Sequence, residues 1–248
     1  MRLAILSDIH ANLPALEAVL ADVEGHSPDR LWCLGDVVGY GAEPNECAAA
    51  AAERFDLCLA GNHDLGVLGE IDIASFSPAA AEAAEWTRER LEDGARKFLA
   101  GLKPAIEDGE VAGYHASPRD HVWEYVLWPE QAGECMAVQA TRVSLIGHSH
   151  VALCFKDSGD DDGEGDGAQG AQVPGGGVLN VAESRWLLNP GSVGQPRDGD
   201  PRAAWLELDT AAWTATYHRV EYDIQRAADS IAAAGLPEHL GRRLFVGQ

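Results

Sequence analysis

Short apolar runs and helix-like patterns alternate over the first sixty residues. Arg2 to Ser7 reads as a buried strand, and Leu13, Leu16, Val19, Leu20 and Val23 then return at intervals of three and four, the spacing of one helix face. Asn12 and Pro14 are start signals for that helix, and Gly25 is a stop signal. Arg30 to Leu34 predicts a second strand, the alanine-rich stretch from Glu43 to Arg54 a second helix, and Asp56 to Ala60 a third strand. A βαβαβ order implies parallel strands joined by right-handed crossovers. In such sheets ligands gather at the carboxyl ends of the strands.

Residues 78 to 102 carry Trp86, Leu91, Phe98 and Leu102 among Glu and Arg and predict one or two helices, within a helical segment at about 65–102. Val111 to Tyr114 and Val143 to Ile146 read as further strands. Beyond His150 the pattern turns to β, with strands expected at Val151 to Phe155, Val178 to Val181, Arg185 to Leu188, Ala203 to Leu208 and Thr214 to Glu221, and a final helix from Ile224 to Ala234. The interval 157–177 is mostly Gly and Asp with almost nothing to bury, and predicts a flexible acidic hairpin tip. Asp160, Asp161, Asp162 and Glu164 could suggest a Ca²⁺ loop, but the EF-hand spacing is absent.

The 248 residues suffice for one large α/β domain with a substantial core. Forty acidic against eighteen basic side chains give a formal charge of −22, which disfavours long nucleic acids and anionic membrane surfaces as partners. Any anionic substrate needs a local positive centre. Five scattered cysteines without a CxxC pair argue against a disulfide framework or a thiolate zinc site. The short apolar run at the N-terminus meets Asp8 before it reaches the length of a signal sequence, and no later run approaches membrane-spanning length, so a cytoplasmic location is expected.

Five segments that carry chemistry each follow a predicted strand. They are Asp8-Ile9-His10, Gly35-Asp36, Gly61-Asn62-His63-Asp64, His115, and Gly147-His148-Ser149-His150. Singly each is weak. Together they have the logic of a metal pair: imidazole and carboxylate donors without thiolate suit Mn, Fe, Zn or Ni rather than a Ca²⁺ cage. In an extended strand exit residues i and i+2 point the same way, so Asp8 with His10, and His148 with His150, could each present two donors to one cavity. Gly35, Gly61 and Gly147 would permit tight turns beside the ions.

In this order the segments resemble the calcineurin-like metallophosphoesterase superfamily, in its compact bacterial and archaeal phosphodiesterase-like branch. Gly35-Asp36-Val37-Val38-Gly39, Trp86-Thr87-Arg88 and the run Asn189 to Arg197 extend the likeness over most of the chain. The resemblance implies a two-sheet β-sandwich flanked by helices, with a parallel or mixed N-terminal sheet and a more antiparallel C-terminal one, in a single domain over 1–248. It implies two divalent metal ions: Asp8, His10 and His150 on the first, Asn62, His115 and His148 on the second, and Asp36 bridging. His63 resembles the residue that contacts the phosphate and stabilises or protonates the leaving group, with Asp64 holding its ring in the required tautomer by a hydrogen bond. The implied reaction is hydrolysis of a small phosphodiester or nucleotide by a metal-bridging hydroxide. The alternatives are a Ser/Thr protein phosphatase-like phosphomonoesterase and a non-catalytic metal-binding scaffold.

Other residues stay open at the level of sequence. His115-Ala116-Ser117-Pro118 stands where relatives commonly have glycine second, so this turn could differ slightly. Arg197 could clamp a phosphate oxygen or a distal group of the substrate, or pair with one of the many carboxylates. Asn12 could touch substrate but is read as the cap of the first helix. Tyr40, Trp123, Tyr125 and Trp128 could form an aromatic wall for a nucleobase or belong to the core. Physiological substrate, native metal and oligomeric state are not encoded legibly.

Overall fold

The computed structural model describes residues 1–159 and 167–248. The chain runs β1 (Arg2–Leu6), α1 (Leu13–His26), β2 (Arg30–Cys33), α2 (Pro44–Arg54), β3 (Leu57–Cys58), α3 (Asn62–Leu68), α4 (Pro78–Arg90) and α5 (Asp93–Leu99). It continues through β4 (Ala105–Asp108), β5 (Val111–Tyr114), α6 (Pro129–Val138), β6 (Val143–Leu145), β7 (Ala152–Asp157) and β8 (Ala168–Gln172). Last come β9 (Val178–Asn180), β10 (Trp186–Pro190), β11 (Ala203–Asp209), β12 (Thr214–Val220), α7 (Ile224–Ala233) and α8 (Glu238–Arg242).

Two six-stranded mixed sheets form, in the orders β3-β2-β1-β11-β12-β9 and β4-β5-β6-β10-β7-β8. β1, β2 and β3 are parallel, and β11 joins β1 antiparallel with Leu3 opposite Leu208. The division of strands differs from the expectation of a more antiparallel second sheet. The last hairpin, β11–β12, returns to the N-terminal sheet, and the second sheet keeps β5, β6 and β10 parallel. Both faces of β1 are covered, which is why it reads as an unbroken apolar run. Ala4 and Leu6 meet α1 and α2, while Leu3 and Ile5 meet Val143 and Leu145 of the second sheet. Ala132, Cys135 and Met136 of α6 cover the far face of that sheet over Leu153, Phe155 and Leu187.

Local departures have local causes. α1 runs through Gly25 and stops at Ser27, whose φ of 51° is the left-handed cap. Strand β3 shrinks to two residues because the chain turns into Gly61, with Leu59 bridging Lys103. Strands β4 and β8 were not expected: both lie at sheet edges, are largely exposed and show no apolar alternation. Residues 168–172, expected as part of the acidic tip, are thus held by pairing to β7, while the acidic run 160–166, with the Ca²⁺-loop alternative, lies outside the described residues. Helices α6 and α8 were also missed, being short and interrupted by Gly133 and Gly241. Polar contacts pin α1 to the sheet: Trp205 Nε1 donates to Asp22 at 2.8 Å, and His26 lies 3.4 Å from Glu207. Among the described residues no helix is long and apolar enough to cross a membrane.

Candidate active site

The loops that leave β1, β2, β5, β6 and β10, with the N-terminus of α3, meet at one edge of the sandwich. Asp8 and His10 do not sit on extended backbone. Their φ values are 56° and 51°, and Asp36, His148 and His150 share the left-handed region at 53°, 61° and 61°. Each such residue turns the chain sharply, and it is this turning that aims both members of each pair inward. Left-handed backbone costs a non-glycine residue about 1–3 kcal/mol unless its surroundings impose it. Here they do: Asp8 N–H donates to Gly35 O at 3.0 Å, His10 N–H to Asp36 O at 2.9 Å, and Ser192 Oγ to Asp8 O at 2.8 Å. Asn189 Nδ2 donates to Gly147 O at 2.7 Å, so the Asn189–Arg197 run clamps the histidine loop to the first loop.

Gly61 is required for space rather than dihedral freedom, since a Cβ there would overlap Asp36 Oδ1. Ala116, by contrast, has no positive φ, so the His115 turn needs no glycine.

Donor atoms of Asp8, His10, Asp36 and His150 lie within 4.8 Å of one another, as do those of Asp36, His115 and His148. Asp36 belongs to both groups, with Oδ2 3.5 Å from His10 Nε2 and 3.6 Å from His115 Nε2. All six residues are at most 4% exposed. Backbone carbonyls orient the rings: Nδ1 of His10, His115 and His150 faces Val38 O, Leu34 O and Gln195 O at 3.2, 2.9 and 2.7 Å. A proton on each Nδ1 satisfies those carbonyls and leaves Nε2 as a bare lone pair.

The lone pairs of His10 and His150 then face each other across 3.0 Å. Nearby, Asp8 Oδ1, Asp36 Oδ2 and His148 Nε2 are buried without a partner. Asn62 Oδ1 stands 3.1 Å from His115 Nε2, again acceptor against acceptor. Burial holds the imidazoles of His10 and His148 well below their usual pKa, and that of His150 at about 4, so neutral rings are the resting form. Burial, with Asp64 and Asp8 close by, pushes the Asp36 carboxyl up. Acceptors crowded together with no proton to share repel one another, and cations between them remove that repulsion. The donor set fits divalent ions.

A cavity of about 380 Å³ opens over these donors, lined by Asn62, His63, Tyr40, Phe76, Trp123, Tyr125, Arg197 and Arg243 among others. His63 is wedged among the rings of Tyr40, Phe76 and His10 at centroid distances of 4.4, 4.7 and 4.8 Å. Its Nδ1 has no hydrogen-bond partner among the described residues. Asp64 does not hold that ring, contrary to the expectation. Its carboxylate is taken by the N–H groups of Gly61 and Val38 at 2.9 and 3.1 Å, because Asp64 closes the first turn of α3. Asn12 is committed to structure, its oxygen capping α1 at Ala15 N and its Nδ2 donating to Gly194 O. It does not line the cavity.

Arg197 lines the cavity and, among the described residues, has no carboxylate within ion-pair distance. Of the proposed aromatic wall, Tyr40, Trp123 and Tyr125 line it, while Trp128 is 65% exposed elsewhere. Phe76 and Arg243 were missed. Each lies outside the motifs, and no local signal marks either.

A family model described as a calcineurin-like phosphoesterase superfamily domain matches residues 1–211. The chain belongs to this superfamily. An uncharacterized protein of Methanocaldococcus jannaschii, MJ0912, is 37% identical over 251 residues, 99% of this chain and 98% of that one. The crystal structure of a metallophosphoesterase from Sphaerobacter thermophilus is 38% identical, with a TM-score of 0.89 over 100% of both chains. That of hypothetical protein PH1004 from Pyrococcus horikoshii OT3, 20% identical, shares the fold, with a TM-score of 0.79 over 100% of this chain and 98% of that one. The metallophosphoesterase family is metal-dependent, and the buried His/Asp groups found here are of the kind that could hold such ions.

Proposed function

We propose that the protein is a dinuclear-metal phosphodiesterase acting on a small phosphodiester or nucleotide. The observation that carries the reading is the pair of facing Nε2 lone pairs of His10 and His150, set beside unpartnered Asp8 and Asp36 oxygens and open to the cavity that His63 lines. Asp8, His10 and His150 would hold one cation and Asn62, His115 and His148 the other, with Asp36 between them. Divalent ions bound there would supply Lewis acidity toward the phosphoryl oxygens and lower the pKa of water.

The remaining roles fall to the chain itself. His63, its ring packed between those of Tyr40 and Phe76 and lining the cavity, would hydrogen-bond or protonate the leaving oxygen. Arg197 supplies a cation to a non-bridging oxygen, with Nη2 also bonded to Gln195 Oε1 at 2.9 Å. Diesters are favoured over monoesters because Tyr40, Phe76, Trp123 and Tyr125 give organic groups apolar surface around the phosphate. The presence of a second cavity arginine, Arg243, is the observation on the side of a phosphomonoesterase.

The test is turnover of bis(p-nitrophenyl) phosphate and p-nitrophenyl phosphate by metal-stripped protein before and after Mn²⁺, Fe²⁺, Zn²⁺ or Ni²⁺ is restored. The expected result is no activity without metal, recovery with about two equivalents bound, and preference for the diester. Preference for the monoester selects the second reading. Full metal occupancy with no hydrolysis of either selects a scaffold.

A further inference from the structure

We propose that the outer cavity is a subsite for a planar base and for a second phosphate on the same nucleoside, so that the preferred substrate is a nucleotide-type phosphodiester with an additional anionic group. This rests on the hydrolase reading above and narrows its substrate class.

The first observation is that two arginines line one cavity in a chain of 40 acidic and 18 basic residues. Arg30, Arg54, Arg119, Arg142, Arg185 and Arg226 all contact carboxylates. Arg197 and Arg243 line the cavity, and neither has a side-chain carboxylate within ion-pair distance among the described residues. Arg197 Nε is buried with no acceptor among the described residues. Arg243 projects from the C-terminal 3-10 turn Arg243–Val246, with Nε donating to Gln248 O. Burial and the Arg197 charge both lower its proton affinity. Two half-buried guanidiniums lining one cavity repel, and anionic groups bound there relieve that cost.

The second observation places the two at different depths. Arg197 is tied to the donor loops: its N–H donates to His150 O at 3.1 Å, and its guanidinium donates to the Oε1 of Gln195, the residue whose carbonyl faces His150 Nδ1. Arg243 comes instead from the C-terminal turn, and among the described residues no hydrogen bond ties its side chain to a donor loop. One cation therefore serves the reacting phosphate, and the other lies further out, where a second phosphate of the same molecule would reach it.

The third observation is aromatic. Trp123 meets Phe76 edge-on at 5.7 Å, and Tyr125, 44% exposed, lies 4.1 Å from the ring of His148. Half-exposed rings beside a phosphate site are stacking surfaces for a base.

Three chromogenic diesters separate the contributions: bis(p-nitrophenyl) phosphate, thymidine 5′-(p-nitrophenyl phosphate), and the same nucleoside ester with a 3′-phosphate. All release p-nitrophenol. We expect kcat/KM of the metal-loaded protein to rise along the series. Arg243→Gln should cut the advantage of the third substrate over the second about tenfold, with Arg243→Lys restoring part of it. Trp123→Ala should cut the advantage of the second over the first by a similar factor. Equal kcat/KM on all three substrates, or an advantage of the 3′-phosphate untouched in Arg243→Gln, overturns the subsite and leaves the hydrolase reading standing. No turnover of any of them at full metal occupancy overturns the hydrolase reading, and the subsite with it.

Discussion

Replacing Gly61 by alanine tests the site without touching a donor or a charge. Gly61 has φ −95° and ψ 175°, which alanine adopts freely, so the backbone does not object. Space does. A Cβ on Gly61 would stand 2.5 Å from Asp36 N and 2.6 Å from Asp36 Cγ, and nearer still to Oδ1. Carbon prefers about 3.5–4.0 Å to such neighbours, so the Asp36 loop must retreat by roughly 1 Å. That retreat breaks the 2.8 Å hydrogen bond from His63 N–H to Asp36 Oδ1 and shifts the carboxylate common to both donor groups. Overpacking of this kind costs about 1–3 kcal/mol of stability, and a 1 Å misplacement at a reacting centre about 10²-fold in rate. The assay is turnover of a phosphodiester at saturating metal, with bound metal counted by elemental analysis and stability by urea midpoint. The expected outcome is a folded Gly61→Ala protein that holds less than its full metal complement and loses about two orders of magnitude in kcat. A variant with wild-type metal content and kcat would show that Asp36 does not have to stand where the structure puts it.

His63 and Asp64 should separate by assay. His63→Ala is expected to keep its metal yet lose about 10²–10⁴-fold in rate, whereas Asp64→Asn, which weakens two backbone hydrogen bonds, should lower the unfolding free energy measured by urea titration by about 1–2 kcal/mol and leave the pH profile of kcat in place. An altered profile in Asp64→Asn would return Asp64 to the service of His63. A third prediction concerns acid stability. His218 lies over Trp205 at 4.0 Å with the planes 10° apart, and burial, with His26 beside it, lowers its pKa to about 4. The folded state binds fewer protons there than the unfolded one, so stability is present above the usual 6.5 and is lost as pH falls from 6.5 toward 4. His218→Phe keeps the stack and removes the proton site, and its Tm should fall less between pH 7 and pH 5 than that of the wild type. Parallel slopes would remove His218 from the acid response.

The donor segments were legible because each is a short string of uncommon residues placed where an apolar run ends. Asp8 through His150 could be named from spacing and resemblance, and the structure brings six of the seven into two groups that share Asp36, with Asn62, the seventh, beside His115. How they converge was not legible. An extended exit and a left-handed turn can both aim residues i and i+2 into one cavity, and only the backbone shows that the turn is used. The role given to Asp64 failed for a related reason. A carboxylate next to a histidine in sequence has backbone N–H groups competing for it, and at the start of α3 those groups are the nearer partners.

Sequence alone determined the strand–helix alternation, the family pattern and the identity of the clustered His and Asp side chains that could hold metal, because these depend on periodicity and residue type within a few positions. Tertiary structure decided which sheet receives β11 and β12, where the Asn189–Arg197 run clamps the loops, and that Phe76, Trp123, Arg197 and Arg243 face one cavity. Those are contacts between residues tens to hundreds of positions apart. They are fixed by how two sheets close on each other, and no local window of sequence carries that information.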